Sequence, residues 1–490
     1  MTTLPSDVGP SENRSVFDVA VIGAGPAGLA AAAAAGELGA SVALVDAAPR
    51  PGGQYWRHRA EGGGPGGPAH HGWPQYLRLH AALEAHRAAG LLTMLPRHAV
   101  WQVERGADGF IVHALVMGEP RSIRARSIVV ATGAYDRQLP FPGWTLPGVF
   151  TAGAAQAMLK GQGVVVGRRI AVGGTGPFLL PVAAALAEAG ATVVGVFEAG
   201  RPTAFARHPG AVIRAAGKLL EGAGYMRTLR RHRVPYRMRT AIVAALGSDE
   251  VTGARVASLD GGWRVIPGSE RQIDCDTIAV GYGFTPQTEI PVQLGCSMVM
   301  DRDGSLVAKV DADQQSSTPG VFVAGEACGV GGADLALAEG ELAGLHAAAT
   351  CGRQVDPQRR RSAETRRAHG RAFAVALQEA FAVGPGWRSW LTGDTVVCRC
   401  EEVTANAIHA AVDDLGATDP RTAKLLVRPG MGLCQGRVCG YPSAALVAAR
   451  CGREVAAADL AGMAARPIAQ PVTLGALAAL HTAKPAPRED

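Results

Sequence analysis

No cysteine occurs before residue 275, so the N-terminal half of this 490-residue chain holds no redox dithiol. Nine cysteines in all, four of them clustered, do not make the framework of a secreted disulfide scaffold. Charge is sparse as well, at 18% charged residues and a net +6, a mild excess that gives no argument for a nucleic-acid partner. Apolar runs are short. The Ala-rich stretch Ala30 to Ala35 falls far below the ~20 residues a membrane span needs, and it lies inside a predicted helix. Met1 to Ser15 is polar, with neither a basic-then-apolar leader pattern nor a twin arginine, and the chain reads as cytoplasmic with no integral membrane span.

What is present is ample. Hydrophobic residues make up 48%, enough for buried cores and against global disorder. The length suits about three domains. Glycine, at 64 residues, falls largely in turns beside apolar runs.

Phe17 to Ile22 reads as a strand, Gly23 to Gly28 as a turn, Leu29 to Leu38 as a helix ending at Gly39, and Val42 to Val45 as a second strand with Asp46 at its end. In such a βαβ unit Gly23 makes the tight turn and Gly25 lets the backbone approach a pyrophosphate, while Gly28 lets helix and strand pack closely. The free N–H groups of the helix N-terminus, starting at Pro26-Ala27, face the phosphates, and Asp46 can accept from ribose hydroxyls. Pro51-Gly52-Gly53-Gln54 follows, and then a Gly/Pro/His loop over Gly62–Gly72. Its His70-His71 pair reads as solvated. Two further apolar strands end in small-residue turns, one at Ala131-Thr132-Gly133 and one at Ala324-Gly325-Glu326. This arrangement resembles the two-dinucleotide flavoproteins, whose members end the last of these strands with Gly-Asp on the ribityl chain. Here the pair is Gly325-Glu326.

About 150 residues after the first unit comes an echo of it. Arg169 to Val172 leads into Gly173-Gly174-Thr175-Gly176, a helix runs to about Glu188, and the chain returns to Phe197 with Glu198 following. By position this is a nicotinamide site with Gly174, Gly176 and Glu198 as its candidates. Leu179 stands where the third glycine belongs, and Pro181 must sit within the first helical turn or break it. NAD(H), another adenine nucleotide and no ligand at all remain open.

Cys398-Arg399-Cys400 and Cys434-Gln435-Gly436-Arg437-Val438-Cys439 are separated by thirty-three residues. Four thiolates converging on one small volume suit an iron–sulfur cluster. Zinc is the rival, but its cysteine pairs are usually spaced by two to four residues. The remaining five cysteines are scattered and read as small buried residues. The basic stretch Arg227 to Arg239 reads as a solvated face or a docking surface, and no acid–base or nucleophile constellation can be assigned.

The cysteine segment resembles the 2Fe–2S domain of the bacterioferritin-associated ferredoxin type. Ala131-Thr132-Gly133-Ala134-Tyr135-Asp136-Arg137, Leu139 to Trp144, Gly148 to Ala154 and Ala336-Leu337-Ala338-Glu339-Gly340 resemble the large flavin subunit of heteromeric amine dehydrogenases. That group includes opine oxidases, hydroxyproline and proline dehydrogenases, the α chain of sarcosine oxidase and hydrogen cyanide synthase. The resemblance implies FAD bound at Gly23, Gly25, Pro26, Ala27, Gly28, Asp46, Gly53, Gln54, Thr132, Gly133, Gly325 and Glu326, and a 2Fe–2S cluster on Cys398, Cys400, Cys434 and Cys439. It also implies an FAD-bearing β subunit resembling D-amino-acid oxidase that oxidises the substrate, and a quinone or other electron acceptor. Some relatives hold FMN at the subunit boundary and an adenine nucleotide in the second site.

The fold expected is α/β, a two-dinucleotide-binding flavoprotein with a small C-terminal iron–sulfur domain. A flexible tail occupies 1–15, the FAD-binding domain 16–160 and 286–350, and the inserted NAD-type domain 161–285. A helical linker follows at 351–393, the 2Fe–2S domain at 394–452 and a terminal segment at 453–490. A self-contained NAD(P)H-dependent flavin/iron–sulfur reductase and a non-catalytic scaffold are the competing readings.

Overall fold

The computed structural model describes residues 16–59, 72–465 and 467–482. The expected tail at 1–15, the His70-His71 pair with most of its loop, and the Lys/Pro/Glu end at 483–490 lie outside the described residues.

Phe17–Ile22 is the centre of the first sheet, pairing in parallel with Val42–Val45 on one side and Glu119–Val130 on the other. Leu92–Leu95 extends one edge in parallel, and His98–Gly106 with Gly109–Val116 forms an antiparallel hairpin on the other. Val321–Val323 also pairs in parallel with Glu119–Val130. Three turns therefore leave the sheet side by side, because Ile22, Val130 and Val323 end in register. A crevice outside the carboxyl ends of neighbouring parallel strands is where such sheets hold ligands.

The helix Pro26–Glu37 is buried on every side, as its unbroken alanine run requires. One face meets the sheet and another meets the helix Ala333–Thr350. There the fit is backbone to backbone: a Cβ on Gly340 would lie 2.0 Å from the Ala27 carbonyl oxygen, and one on Gly344 2.2 Å from that of Ala31. The small residues of both helices are thus a packing requirement.

The second sheet is wholly parallel, in the order Tyr236–Met238, Thr192–Glu198, Arg169–Gly174, Thr277–Gly281, Val149–Thr151. A three-stranded antiparallel sheet lies beside it. Two short antiparallel strands, Ala134–Asp136 and Phe284–Pro286, carry the chain out and back. The inserted unit therefore begins earlier than the expected residue 161. Val149–Thr151 pairs with Thr277–Gly281, and the helix Ala152–Gln162 that follows packs into the second unit's core.

The expected linker is a 24-residue helix, Pro357–Ala380, with Asp356 capping its N-terminus by accepting from the Gln358 amide at 2.9 Å and Pro357 in the first turn. It is no free tether, since it buries Ala363, Ala374 and Ala376. The C-terminal unit holds the paired strands Val396–Cys398 and Val403–Thr404 and four helices, Ala405–Asp413, Pro420–Val427, Gly440–Arg450 and Ala457–Ala464. The last of these packs on the two before it, so the unit runs past the expected end at 452.

Candidate functional site

At the first turn Gly23 has φ +106°, and a Cβ there would sit 2.2 Å from the Ala131 carbonyl oxygen. A Cβ on Gly28 would fall 1.7 Å from the Gly23 oxygen. Both positions are closed to any side chain by the protein itself. Gly25 differs: its φ is −78° and nothing but the Gly53 Cα lies within 4 Å, at 3.9 Å. Nothing in the protein forbids a side chain at Gly25, so the space in front of this turn is open to a ligand group such as a pyrophosphate. Gly53, at φ +59°, closes over it, with a Cβ there only 2.8 Å from the Gly25 Cα.

Asp46 accepts from the amides of Ala24 at 2.5 Å and Ala48 at 2.6 Å, and burial holds its carboxyl above the usual range. Gln54 is exposed and accepts from Arg57 at 3.0 Å. Thr132 donates to the Gln287 carbonyl at 2.9 Å, while the Gly133 carbonyl accepts from the Gln287 amide at 2.9 Å. These two residues fasten the strand end to the returning chain. A Cβ on Gly325, at φ +73°, would touch that of Ala27 at 3.0 Å, so the third turn closes on the first helix. Glu326 accepts from the Gly332 amide at 3.0 Å through one oxygen, whereas its other oxygen is buried without a partner. Burial pushes this carboxyl up to about 7. An unpartnered buried acceptor on the turn that closes against the fingerprint helix is a group that a ribityl hydroxyl would satisfy, so these residues fit a flavin.

In the second unit a Cβ on Gly174 would lie 1.8 Å from the Gly281 oxygen, repeating the Gly23–Ala131 contact. Gly176, at φ +107°, is open like Gly25. The helix differs. It starts only at Leu179, after 3₁₀-type bonds from Leu179 to Gly176 and from Leu180 to Pro177, whereas Leu29 already bonds to Gly25 in the first unit. Leu179 is buried and cannot make the close approach that Gly28 makes, so the helix end stands back from the turn. Pro181 falls within the first turn, where its missing N–H costs nothing. Glu198 accepts from Gly176 at 2.9 Å and Gly200 at 2.7 Å and is fully buried, which pushes its carboxyl up to about 7.

The four cysteines meet in one place. Cys439 is hydrogen-bonded to both Cys398 and Cys434, and Cys434 to Cys400. The Cys439 contact, with the amides of Gly430, Glu401 and Cys400, pulls the Cys398 thiol down to about 6. Cys439 again, then the amides of Val438 and Gly436, pulls Cys434 down to about 5. Cys439 is raised in return. Thiolate is the form that binds iron. The thiols run pairwise in the order 398, 439, 434, 400, and four cysteines brought together are a donor set that fits an iron–sulfur cluster. Gly432 abuts Cys400, where a Cβ would come within 2.2 Å of the cysteine's own, and Gly430 and Gly436 have φ of +81° and +83°. Cys398 and Cys439 are buried, and Cys400 is exposed.

Sequence reasoning assigned no role to Arg437, which lies between two of these cysteines. It pairs with Glu289 of the flavin unit at 2.5 Å and donates to the Cys434 carbonyl at 3.1 Å and that of Ala469 at 2.7 Å. Asp136 is a second such residue: it accepts from Thr151 at 2.6 Å and so joins two of the family-like segments.

The fold and site together define a flavoprotein with two dinucleotide-type units and an appended iron–sulfur unit. The chain belongs to the pyridine nucleotide-disulphide oxidoreductase family, whose model matches residues 17–352, and residues 396–449 match the BFD-like [2Fe-2S] binding domain. It is an FAD-dependent oxidoreductase chain with a 2Fe–2S-binding domain. It is 35% identical to an opine oxidase subunit of Agrobacterium tumefaciens (strain Ach5), over 96% of this chain and 93% of that protein. It is 33% identical to hydrogen cyanide synthase subunit HcnB of Pseudomonas protegens, over 86% of this chain and 90% of that one. In fold it resembles the solved L-proline dehydrogenase from P. horikoshii, with a TM-score of 0.68 at 21% identity, covering 95% of this chain and 80% of the other. Among the described residues no helix is long and apolar enough to cross a membrane.

Proposed function

We propose that this chain is the electron-transferring subunit of a heteromeric dehydrogenase acting on a secondary amine or amino acid of the opine, hydroxyproline, proline, sarcosine or glycine type. A separate FAD-bearing subunit resembling D-amino-acid oxidase oxidises the substrate, and this chain relays the electrons to a quinone or other acceptor in the cytoplasm. The observation that carries the reading is Arg437, which ties the cysteine loop directly to the flavin unit through Glu289. When bound, a flavin takes electrons in pairs and releases them singly, and a 2Fe–2S centre carries one at a time.

The chain's own residues divide the labour accordingly. Gly23, Gly25 and Gly28 shape the pyrophosphate cleft, with Pro26 and Ala27 at the helix end that faces it. Asp46 stands by the ribose and Glu326 by the ribityl chain. Cys398, Cys400, Cys434 and Cys439 supply the thiolates, and the exposed Cys400 brings one edge of that site to the surface, within reach of an external acceptor. The set-back helix at Leu179 and the complete burial of Glu198 speak against rapid hydride exchange with a nicotinamide at the second site.

The test is to mix the isolated holo-chain with proline, hydroxyproline, sarcosine, glycine and opines in a stopped-flow instrument. No flavin bleaching is expected until a D-amino-acid-oxidase-like partner, sought in an adjacent reading frame, is added. Bleaching by an amine on the isolated chain would overturn the division of labour.

A further inference from the structure

Glu339 is the one charged residue of the segment Ala336 to Gly340, and it is fully buried. Its Oε2 accepts from the Gly325 amide at 3.0 Å and its Oε1 lies 2.6 Å from Nη2 of Arg371. Arg371 comes from the helix Pro357–Ala380 and also donates to the Cys328 carbonyl at 2.9 Å. The loop is shaped to admit it: a Cβ on Gly329 would lie 2.2 Å from Nη1 of Arg371. Gln378, two turns further along that helix, donates to the Val330 carbonyl at 3.0 Å and to Asp301 at 2.9 Å. The third turn of the flavin cleft is therefore clamped from behind by the helix that leads to the iron–sulfur unit. Two carboxylates, Glu339 and Glu326, flank that turn, and Arg371 is the cation facing both.

We propose that Arg371 is a positioning residue for the flavin, acting through Glu339 to hold the Gly325 amide and so to fix the turn that carries Glu326 and its unpartnered buried oxygen. The inference rests on the placement of the flavin at Gly325–Glu326. Without the guanidinium, Glu339 is a buried carboxylate with no counter-charge and must protonate or turn away, and either change loosens the Gly325 turn. The linker helix thus governs cofactor retention without touching the cofactor.

The experiment is a titration of full-length apo-protein with FAD, followed by flavin fluorescence, for Glu326→Gln, Arg371→Met, Arg371→Lys and the Glu326→Gln/Arg371→Met double variant. Loss of one charge-assisted hydrogen bond corresponds to about 10- to 100-fold in affinity, and both Glu326→Gln and Arg371→Met are expected in that range. The double variant should be little worse than either single one, since both act on the same contact. Arg371→Lys restores the charge but not the fork and should recover part of the affinity. Iron content should stay at the wild-type level throughout. If Glu326→Gln binds FAD normally, the flavin has been misplaced. If Glu326→Gln is weakened while Arg371→Met is not, or if the two losses simply add, the positioning role is wrong. An Arg371→Met apo-protein that fails to fold is answered by the lysine variant, whose full loss of affinity without rescue would also refute the proposal.

Discussion

Gly25 and Gly28 sit three residues apart in the same fingerprint, yet replacing them should affect the apo-protein's own stability differently. At Gly25 a Cβ meets nothing nearer than 3.9 Å and the backbone is in a region open to any residue, so Gly25→Val should leave the apo-protein's stability within about 0.5 kcal/mol of wild type. Its side chain instead fills the space a pyrophosphate needs. Losing two charge-assisted amide contacts costs roughly 3–6 kcal/mol, or about 150- to 25,000-fold in FAD affinity. At Gly28 the new Cβ would lie 1.7 Å from the Gly23 oxygen, so the helix must lift off the turn. Gly28→Ala should therefore lower the apo-protein's own stability, by about 1–3 kcal/mol or more, together with flavin content. The assay is the flavin-to-protein ratio of the purified variants, set beside thermal unfolding of the apo forms. Full flavin occupancy in Gly25→Val would refute the cofactor placement, and an unperturbed Gly28→Ala would refute the packing argument.

Replacing Cys434 with Ser should remove iron while FAD stays bound, because cleft and cysteines belong to separate units; metal analysis giving one zinc and no iron in the wild type would sink the cluster assignment. Rapid mixing with NADH or NADPH should reduce the flavin slowly, given the helix set back at Leu179, and fast bleaching would favour the reductase reading. Glu198, pushed up to about 7 by burial, is ionised less readily folded than unfolded, so it subtracts stability as pH rises from about 4.5 through about 7. Glu198→Gln removes the titrating carboxyl but sets an amide NH2 against the Gly176 or Gly200 N–H, so it should flatten this loss of stability with pH while lowering the apo-protein's melting temperature at pH 4; a variant with the wild-type pH dependence would show that the carboxyl is not the cause.

Much of this protein is fixed by local chemistry that a sequence displays. The fingerprint at Gly23, Gly25 and Gly28, its eroded echo at Leu179, and the four-cysteine set depend on neighbours within one turn or one loop, where residue type dictates backbone geometry. Pro181 behaves in the second helix as its ring requires. Other features depend on contacts between residues from about thirty to about 150 positions apart. That Val149–Thr151 joins the second sheet is decided by its pairing with Thr277–Gly281, which no local pattern announces. The helix Pro357–Ala380 shows its cap and its charge in sequence, but its function as a clamp appears only when Arg371 meets Glu339 and the loop after Gly325. Arg437 and Glu289 are 148 positions apart and read as ordinary surface charges until folding desolvates them together. Long-range ion pairs of this kind leave no periodicity and need no motif, so only the tertiary structure could reveal them.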